Sequence, residues 1–90
     1  MKYVLFYETA DDVDSQQLMT HFPAHQARWQ EYRERGSLLL IGPFSDRAGA
    51  MAVFASLAAA EEFAAGDPFV LNGLMKDWYI REWMEALQTP

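Results

Sequence analysis

The sequence predicts a single α+β domain in which strands and helices follow the order β-α-β-β-α-β. Short runs rich in β-branched and aromatic residues alternate with two helix-forming segments, and turn residues separate them. The chain has 90 residues, of which 51% are hydrophobic, and this suits one compact domain over residues 1–90. No linker, repeat or low-complexity tract marks a second domain.

The first strand and the first helix are predicted from propensity and breakers. Residues 2–7 are β-rich and precede a polar segment, so strand one lies there. A helix follows from about residue 15 or residue 21 to residue 35 and is closed by Gly36. Pro23 is expected to mark either the first turn of this helix or a kink within it.

The second and third strands are predicted to form a hairpin. Residues 37–41 read as strand two, and Gly42-Pro43 is expected to stop it. The segment 45–49 contains Ser, Asp and Gly, the residue types of tight turns. Strand three then covers residues 50–55 and pairs with strand two.

The second half ends with a helix, a short helical turn and a strand. Ser56 is a suitable N-cap for helix two at residues 57–65. Asp67 is expected to cap a short helical turn that ends near Asn72-Gly73, because an Asp before a Pro is typical of a helix start. Strand four is predicted from residue 77 to residue 83 or 84.

This order of elements is that of the ferredoxin-like fold, in which two helices cover one face of a four-stranded antiparallel sheet. The strands, however, are apolar on both faces. In strand one, Tyr3, Leu5 and Tyr7 lie on one face, and Val4 and Phe6 lie on the other. Because an uncovered apolar sheet favours association, we expect a two-fold homodimer whose sheets face each other.

Charge and composition exclude several kinds of partner. The formal net charge is -6 and the seven Lys and Arg residues are scattered, whereas nucleic acids and anionic membranes are bound through clustered basic residues. No apolar run is long enough to span a bilayer. The absence of Cys excludes disulfides, thiolate nucleophiles and zinc-thiolate sites. We expect a cytoplasmic protein that binds neither nucleic acid nor membrane.

His25 and Asp67 are the most informative candidates for a functional site. On the first helix, a stripe of residues at steps of four and three is expected to face inward, and it consists of Leu18, Phe22, His25, Trp29 and Tyr32. A titratable ring among large apolar neighbours needs a polar partner. Asp67 is the acid best placed to supply one, since it opens a helix rather than lying on a solvated face. The sequence therefore predicts a contact between His25 and Asp67.

Such a pair suits general acid–base chemistry. A carboxylate on one ring nitrogen fixes the tautomer and stabilises the imidazolium, which leaves the other nitrogen to take or give a proton. This arrangement suits proton abstraction next to a carbonyl, or elimination of a leaving group. The candidate substrate-binding residues are the aromatic Phe44, Trp29 and Trp78, with Arg81 as the candidate anion anchor.

Each candidate also has a structural interpretation. His25 could be a satisfied core histidine, Asp67 only a helix cap, and the Trp residues core and dimer contacts. His21 and His25 are four residues apart and could bridge a metal on one helical face. Pro23 lies between them and no third ligand is evident, so we expect no metal, and no organic cofactor is implied.

Five motifs follow one another along nearly the whole chain: residues 22–25 (FPAH), 36–43 (Gly36 and the strand end LLLIGP), 56–57 (SL), 66–70 (GDPFV) and 80–81 (IR). Together they resemble the YCII-related (YciI-like) family of small dimeric α+β proteins. The resemblance implies a ferredoxin-like dimeric α+β barrel and a catalytic His and Asp pair, here His25 and Asp67. Many relatives carry a basic residue three positions before the His, where Phe22 stands in this chain.

Two functions are therefore expected. The first is a small-molecule lyase or isomerase that uses His25 and Asp67 without a cofactor. The second is a noncatalytic dimeric domain that uses the same pocket to hold a metabolite or to steady a partner enzyme. An open cleft beside His25 that holds a bound anion or buffer molecule would favour the first function, and a closed, dry pocket with no path to solvent would favour the second.

Overall fold

A computed structural model describes residues 1–90 as a four-stranded antiparallel sheet with its helices packed on one face. The elements in chain order are β1 (Lys2–Thr9), α1 (Ser15–Glu34), β2 (Leu38–Pro43), β3 (Gly49–Phe54), α2 (Leu57–Gly66), α3 (Pro68–Leu71) and β4 (Met75–Trp83). The strand order β2-β3-β1-β4 confirms the predicted ferredoxin-like α+β fold.

The main core lies between the sheet and the helices. Strand register places Leu5 of β1 opposite Ala52 of β3 and Ile80 of β4, so these three side chains point to the same face. The buried residues of this core are Leu5, Tyr7, Tyr32, Leu38, Ala52, Phe54, Ala60, Phe63 and Ala64. Because α1 and α2 supply Tyr32 and Phe63 to it, both helices cover the face that carries the odd-numbered residues of β1.

Side-chain caps fix where the two long helices begin. Asp14 accepts a hydrogen bond from the backbone N–H of Gln17 at 2.9 Å, while the Gln17 side chain accepts one from the Asp14 backbone N–H. This capping box starts α1 at Ser15, so the alternative start at His21 is wrong. Ser56 caps α2 as predicted, by accepting a hydrogen bond from the backbone three residues later.

Two prolines lie within the bounds of regular elements, where the sequence predicted a first helical turn or a kink at Pro23 and the end of a strand at Gly42-Pro43. Pro23 lies within α1, eight residues after the helix begins, so its assignment to the first turn is wrong. β2 continues through Gly42 and Pro43 instead of stopping before them. The physical reason is that β2 is an edge strand, where the missing N–H of a proline need not remove a ladder hydrogen bond.

The second face of the sheet is apolar as predicted. Register places Val4 opposite Val53, and Val53 opposite Leu40, on the side away from the helices. Phe6 stacks on Tyr79 with ring centroids 5.1 Å apart. Leu40 and Tyr79 are 68% and 43% exposed, so this face presents large apolar side chains to solvent in a single chain.

Candidate active site

α1 carries His25 to the inner side of the domain. The imidazole is only 7% exposed, and the ring of Phe69 from α3 stacks on it with centroids 4.0 Å apart and planes 8° apart. Phe22 and Phe63 lie around the same ring at centroid distances of 6.0 and 6.2 Å. The predicted apolar surroundings of His25 are therefore confirmed.

Asp67 joins α2 to α3 and is completely buried. Its Oδ1 accepts a hydrogen bond from the backbone N–H of Phe69 at 3.1 Å, and Pro68 occupies the first helical turn. The predicted N-cap role is thus confirmed. A carboxylate held at a helix start in the interior must find further donors, because burying an unsatisfied charge is costly.

His25 supplies one of these donors. Its Nδ1 lies 2.8 Å from Asp67 Oδ1 and 3.0 Å from Asp67 Oδ2, which confirms the predicted contact. A carboxylate has only acceptors, so Nδ1 carries the hydrogen in this bond. When the imidazole is neutral, Nε2 is consequently the unprotonated nitrogen.

Tyr7 of β1 supplies another donor, and the sequence did not indicate it as a site residue. Its hydroxyl donates to Asp67 Oδ2 at 2.6 Å. Burial, together with the adjacent negative charge of Asp67, raises the pKa of Tyr7 well above its ordinary value. The phenol therefore stays protonated and keeps donating. Strand alternation had placed Tyr7 on the inward face, and a buried hydroxyl needs a partner, but nothing local connected it with Asp67.

The second ring nitrogen of His25 remains available for chemistry. Every buried side-chain nitrogen or oxygen has a hydrogen-bond partner, whereas Nε2 has none. Nε2 is therefore not sealed in the protein interior. His25 lines a cavity of about 380 Å³ between α1 and the sheet, and this cavity is the space that Nε2 can reach.

The cavity is mainly apolar and open to solvent. Thirteen of its twenty lining residues are hydrophobic, and its volume lies in the range of roughly 300–1,000 Å³ that small-molecule sites have. Met19 and Phe22, two of the lining residues, are 73% and 44% exposed, so the cavity opens to the outside along α1. The pocket beside His25 is therefore not the closed, dry pocket that would favour a noncatalytic domain.

The predicted substrate-binding residues do not all meet at this cavity. Trp29 lines it together with His25. Trp78 is partly buried against the core, and Phe44 lines a second cavity, of about 330 Å³. Arg81 pairs with Val4 and so lies on the face away from the helices. The roles of Phe44, Trp78 and Arg81 in binding a substrate stay predictions.

No group of three or more His, Cys, Asp or Glu side chains is placed to hold a metal ion. His21, the other histidine on α1, does not line the cavity. None of the helices combines the length and the hydropathy that a membrane-spanning helix requires.

Fold and site together define a small ferredoxin-like protein with an open apolar cavity and a buried histidine–carboxylate pair at its wall. The chain matches the YCII-related domain over residues 1–84 and belongs to that family, as the order of its motifs predicted. No curated protein matches the chain.

One solved structure with a similar fold is 5-chloro-2-hydroxyhydroquinone dehydrochlorinase from Burkholderia phenoliruptrix AC1100, in complex with 2,5-dihydroxybenzoquinone. The two structures align with a TM-score of 0.77 over 96% of each chain, at 18% sequence identity. At this identity the likeness shows a common fold.

Proposed function

We propose that the protein is a small-molecule lyase or isomerase in which His25 transfers a proton through Nε2, without a cofactor. The observation that carries this proposal is the arrangement of the imidazole. Asp67 holds Nδ1 at 2.8 Å, while Nε2 has no protein partner and the ring lines an open apolar cavity. A general base needs this combination of a fixed tautomer and a free nitrogen beside the substrate.

The chemistry begins with removal of a proton from carbon next to a carbonyl group. Nε2 takes the proton, and the electron pair of the C–H bond passes into the carbonyl group to form an enolate. The imidazolium is stabilised by Asp67, which is itself held by Tyr7 and by the backbone of Phe69. The enolate then expels a leaving group, as in a lyase, or takes the proton back at another carbon, as in an isomerase.

The similar dehydrochlorinase supports elimination as the first reaction to test. Its name describes removal of HCl from a chlorinated hydroxyquinol, and the complex holds a quinone. The apolar cavity beside His25 is suited to a ring of this kind. We therefore include 5-chloro-2-hydroxyhydroquinone in the test, alongside cyclic ketones that carry acidic C–H bonds. In the keto tautomer of this hydroxyquinol, Nε2 would take a hydroxyl proton, and the electron pair of that O–H bond would pass through the ring to expel chloride and leave a quinone.

The test compares the parent with His25→Asn. The side-chain amide of Asn can occupy the position of Nδ1 and keep the hydrogen bond to Asp67, so this variant chiefly removes Nε2. Chloride release and deuterium uptake from D2O, followed by NMR, measure elimination and proton exchange respectively. We expect turnover by the parent and a loss of about 10² to 10⁴ in rate for the variant.

The same experiment separates catalysis from binding alone. Turnover that is equal in parent and His25→Asn would contradict the proposed role of Nε2. Ligands that protect both proteins equally from thermal unfolding, without turnover in either, would favour the noncatalytic metabolite-binding domain. Trp29→Phe serves as a control for changes in cavity shape, because it keeps an aromatic wall and does not alter the His25–Asp67 pair.

We also infer that the protein works as a homodimer through the second face of the sheet. The support is the row of apolar side chains on that face, including Leu40 and Tyr79, which are 68% and 43% exposed. Sedimentation of the parent should give twice the 10.3 kDa of one chain, and Leu40→Asp should give the single mass. Leu71→Asp is the matched control, because Leu71 is 67% exposed on α3. A parent that sediments as one chain would contradict the dimer.

A further inference from the structure

Arg47 has a backbone conformation that is unusual for an arginine. It lies in the connection between β2 and β3, where its backbone N–H donates to Phe44 O at 2.9 Å. Its φ is +63°, the only positive φ at a residue other than glycine. Glycine adopts this left-handed conformation readily and L side chains adopt it rarely. The unusual backbone conformation therefore raises the question of what the Arg47 side chain contributes.

The location of Arg47 indicates what that role is. Arg47 lines the His25 cavity, and its guanidinium makes no hydrogen bond or ion pair with the protein. The chain carries 13 Asp and Glu residues, yet none of them lines this cavity. Arg47 is thus its one permanently charged lining residue. The cavity combines an apolar wall, one free cation and the imidazole of His25.

We propose that Arg47 is a specificity residue that binds the charged oxygen of an anionic substrate, a carboxylate or phenolate with an apolar ring. Guanidinium recognises such oxygens through charge-assisted hydrogen bonds, often in pairs. The apolar wall holds the ring of the substrate while Arg47 holds its charge, and this fixes which C–H bond meets Nε2. The assignment rests on the proposed function, because it takes the His25 cavity as the substrate site.

Benzoate and benzamide are matched probes for this proposal, because they share a ring and differ in charge. Their dissociation constants can be measured by NMR titration at low salt, from the signals of residues that line the cavity. For the parent we expect benzoate to bind about tenfold or more tightly than benzamide. Arg47→Gly should abolish this preference, leave benzamide binding unchanged, and melt at the same temperature or higher, since glycine suits the positive φ. Arg47→Lys should keep part of the preference.

Control variants distinguish the charge of Arg47 from other charges and from proton transfer at His25. Arg33→Ala removes the same charge from an exposed position on α1 and should keep the full preference. Repeating the titrations in the His25→Asn background should leave the effect of Arg47→Gly in place, which separates the anion site from proton transfer. The proposal is overturned if neither probe shifts the cavity signals, if Arg47→Gly keeps the preference, or if Arg81→Ala removes it instead. Failure of turnover alone would overturn only the proposed function.

Discussion

Tyr7→Phe is the sharpest test of how the site is held together. The substitution keeps the ring and removes only the hydroxyl, which donates to Asp67 Oδ2 at 2.6 Å. Because ring volume is conserved, no large cavity is created. A hydrogen bond to a charged group contributes about 1.5–3 kcal/mol, and Asp67 is 0% exposed, so water cannot replace the lost donor. We expect a loss of that size in the free energy of unfolding.

The assay is thermal and urea unfolding at equal protein concentration. For a domain of this size, about 1 kcal/mol corresponds to roughly 4–8 °C in Tm, so the variant should melt roughly 6–24 °C below the parent. Tyr3→Phe is the matched control, because Tyr3 lies on the same face of β1 and its hydroxyl makes only an exposed contact of 3.8 Å with Met1 Sδ. Its effect should stay within about 0.5 kcal/mol.

The pH dependence gives a second readout for the same variant. Burial and the charge of Asp67 raise the pKa of Tyr7 in the folded state above its ordinary value of 10.0. The stabilisation from the protonated phenol is therefore fully present below pH 10 and is lost as the pH rises further, because the unfolded chain ionises first. The difference in the free energy of unfolding between the parent and Tyr7→Phe should become smaller above that pH. A variant as stable as the parent, or a difference that does not narrow, would refute the reasoning.

Three further predictions concern the supports of the fold. Gly66→Ala should cost about 1–2 kcal/mol, because its Cβ would collide with Arg28 Nη2; in an Arg28→Ala background it should become neutral or stabilising. Ser56→Ala should cost about 1 kcal/mol through loss of the α2 cap, measured by urea unfolding. The hydrogen bond from Lys2 lowers the pKa of Glu85 from 4.5 to about 2, so Glu85→Gln should destabilise at neutral pH, and its Tm difference from the parent should vanish as the pH falls from 4.5 to 2.

Local patterns made the His25–Asp67 pair predictable. The helical stripe gives the direction of His25 from spacing alone, and an Asp before a Pro indicates an N-cap whatever the rest of the fold does. The contact then requires only that the inward face of α1 at His25 packs next to the helix start at Asp67. The order of elements likewise follows from runs and breakers, and it specifies the ferredoxin-like sheet.

What the sequence did not indicate depends on contacts between distant elements. Tyr7 and Asp67 are 60 residues apart, and the packing of α2, which ends just before Asp67, against β1 brings them together. The sequence indicated only that Arg47 belongs to a turn. Nothing in the sequence shows on which side of the sheet the end of the hairpin lies. Pro43 was expected to end β2, because the edge position that permits a proline is a property of the whole sheet.

Asp67 stabilises the fold and orients the candidate active site through the same two carboxylate oxygens. Substitutions at Asp67 therefore affect stability and catalysis together. It caps α3 through Phe69, holds β1 through Tyr7 and orients His25 on α1. An Asn at position 67 keeps the cap but turns an NH2 group toward a donor, so the site and the core are perturbed together. His25 is different, because its Nε2 has no structural partner. A substitution at His25 can therefore remove proton transfer with the smallest loss in the free energy of unfolding. A loss of activity caused by a substitution at Asp67 cannot be assigned to catalysis alone.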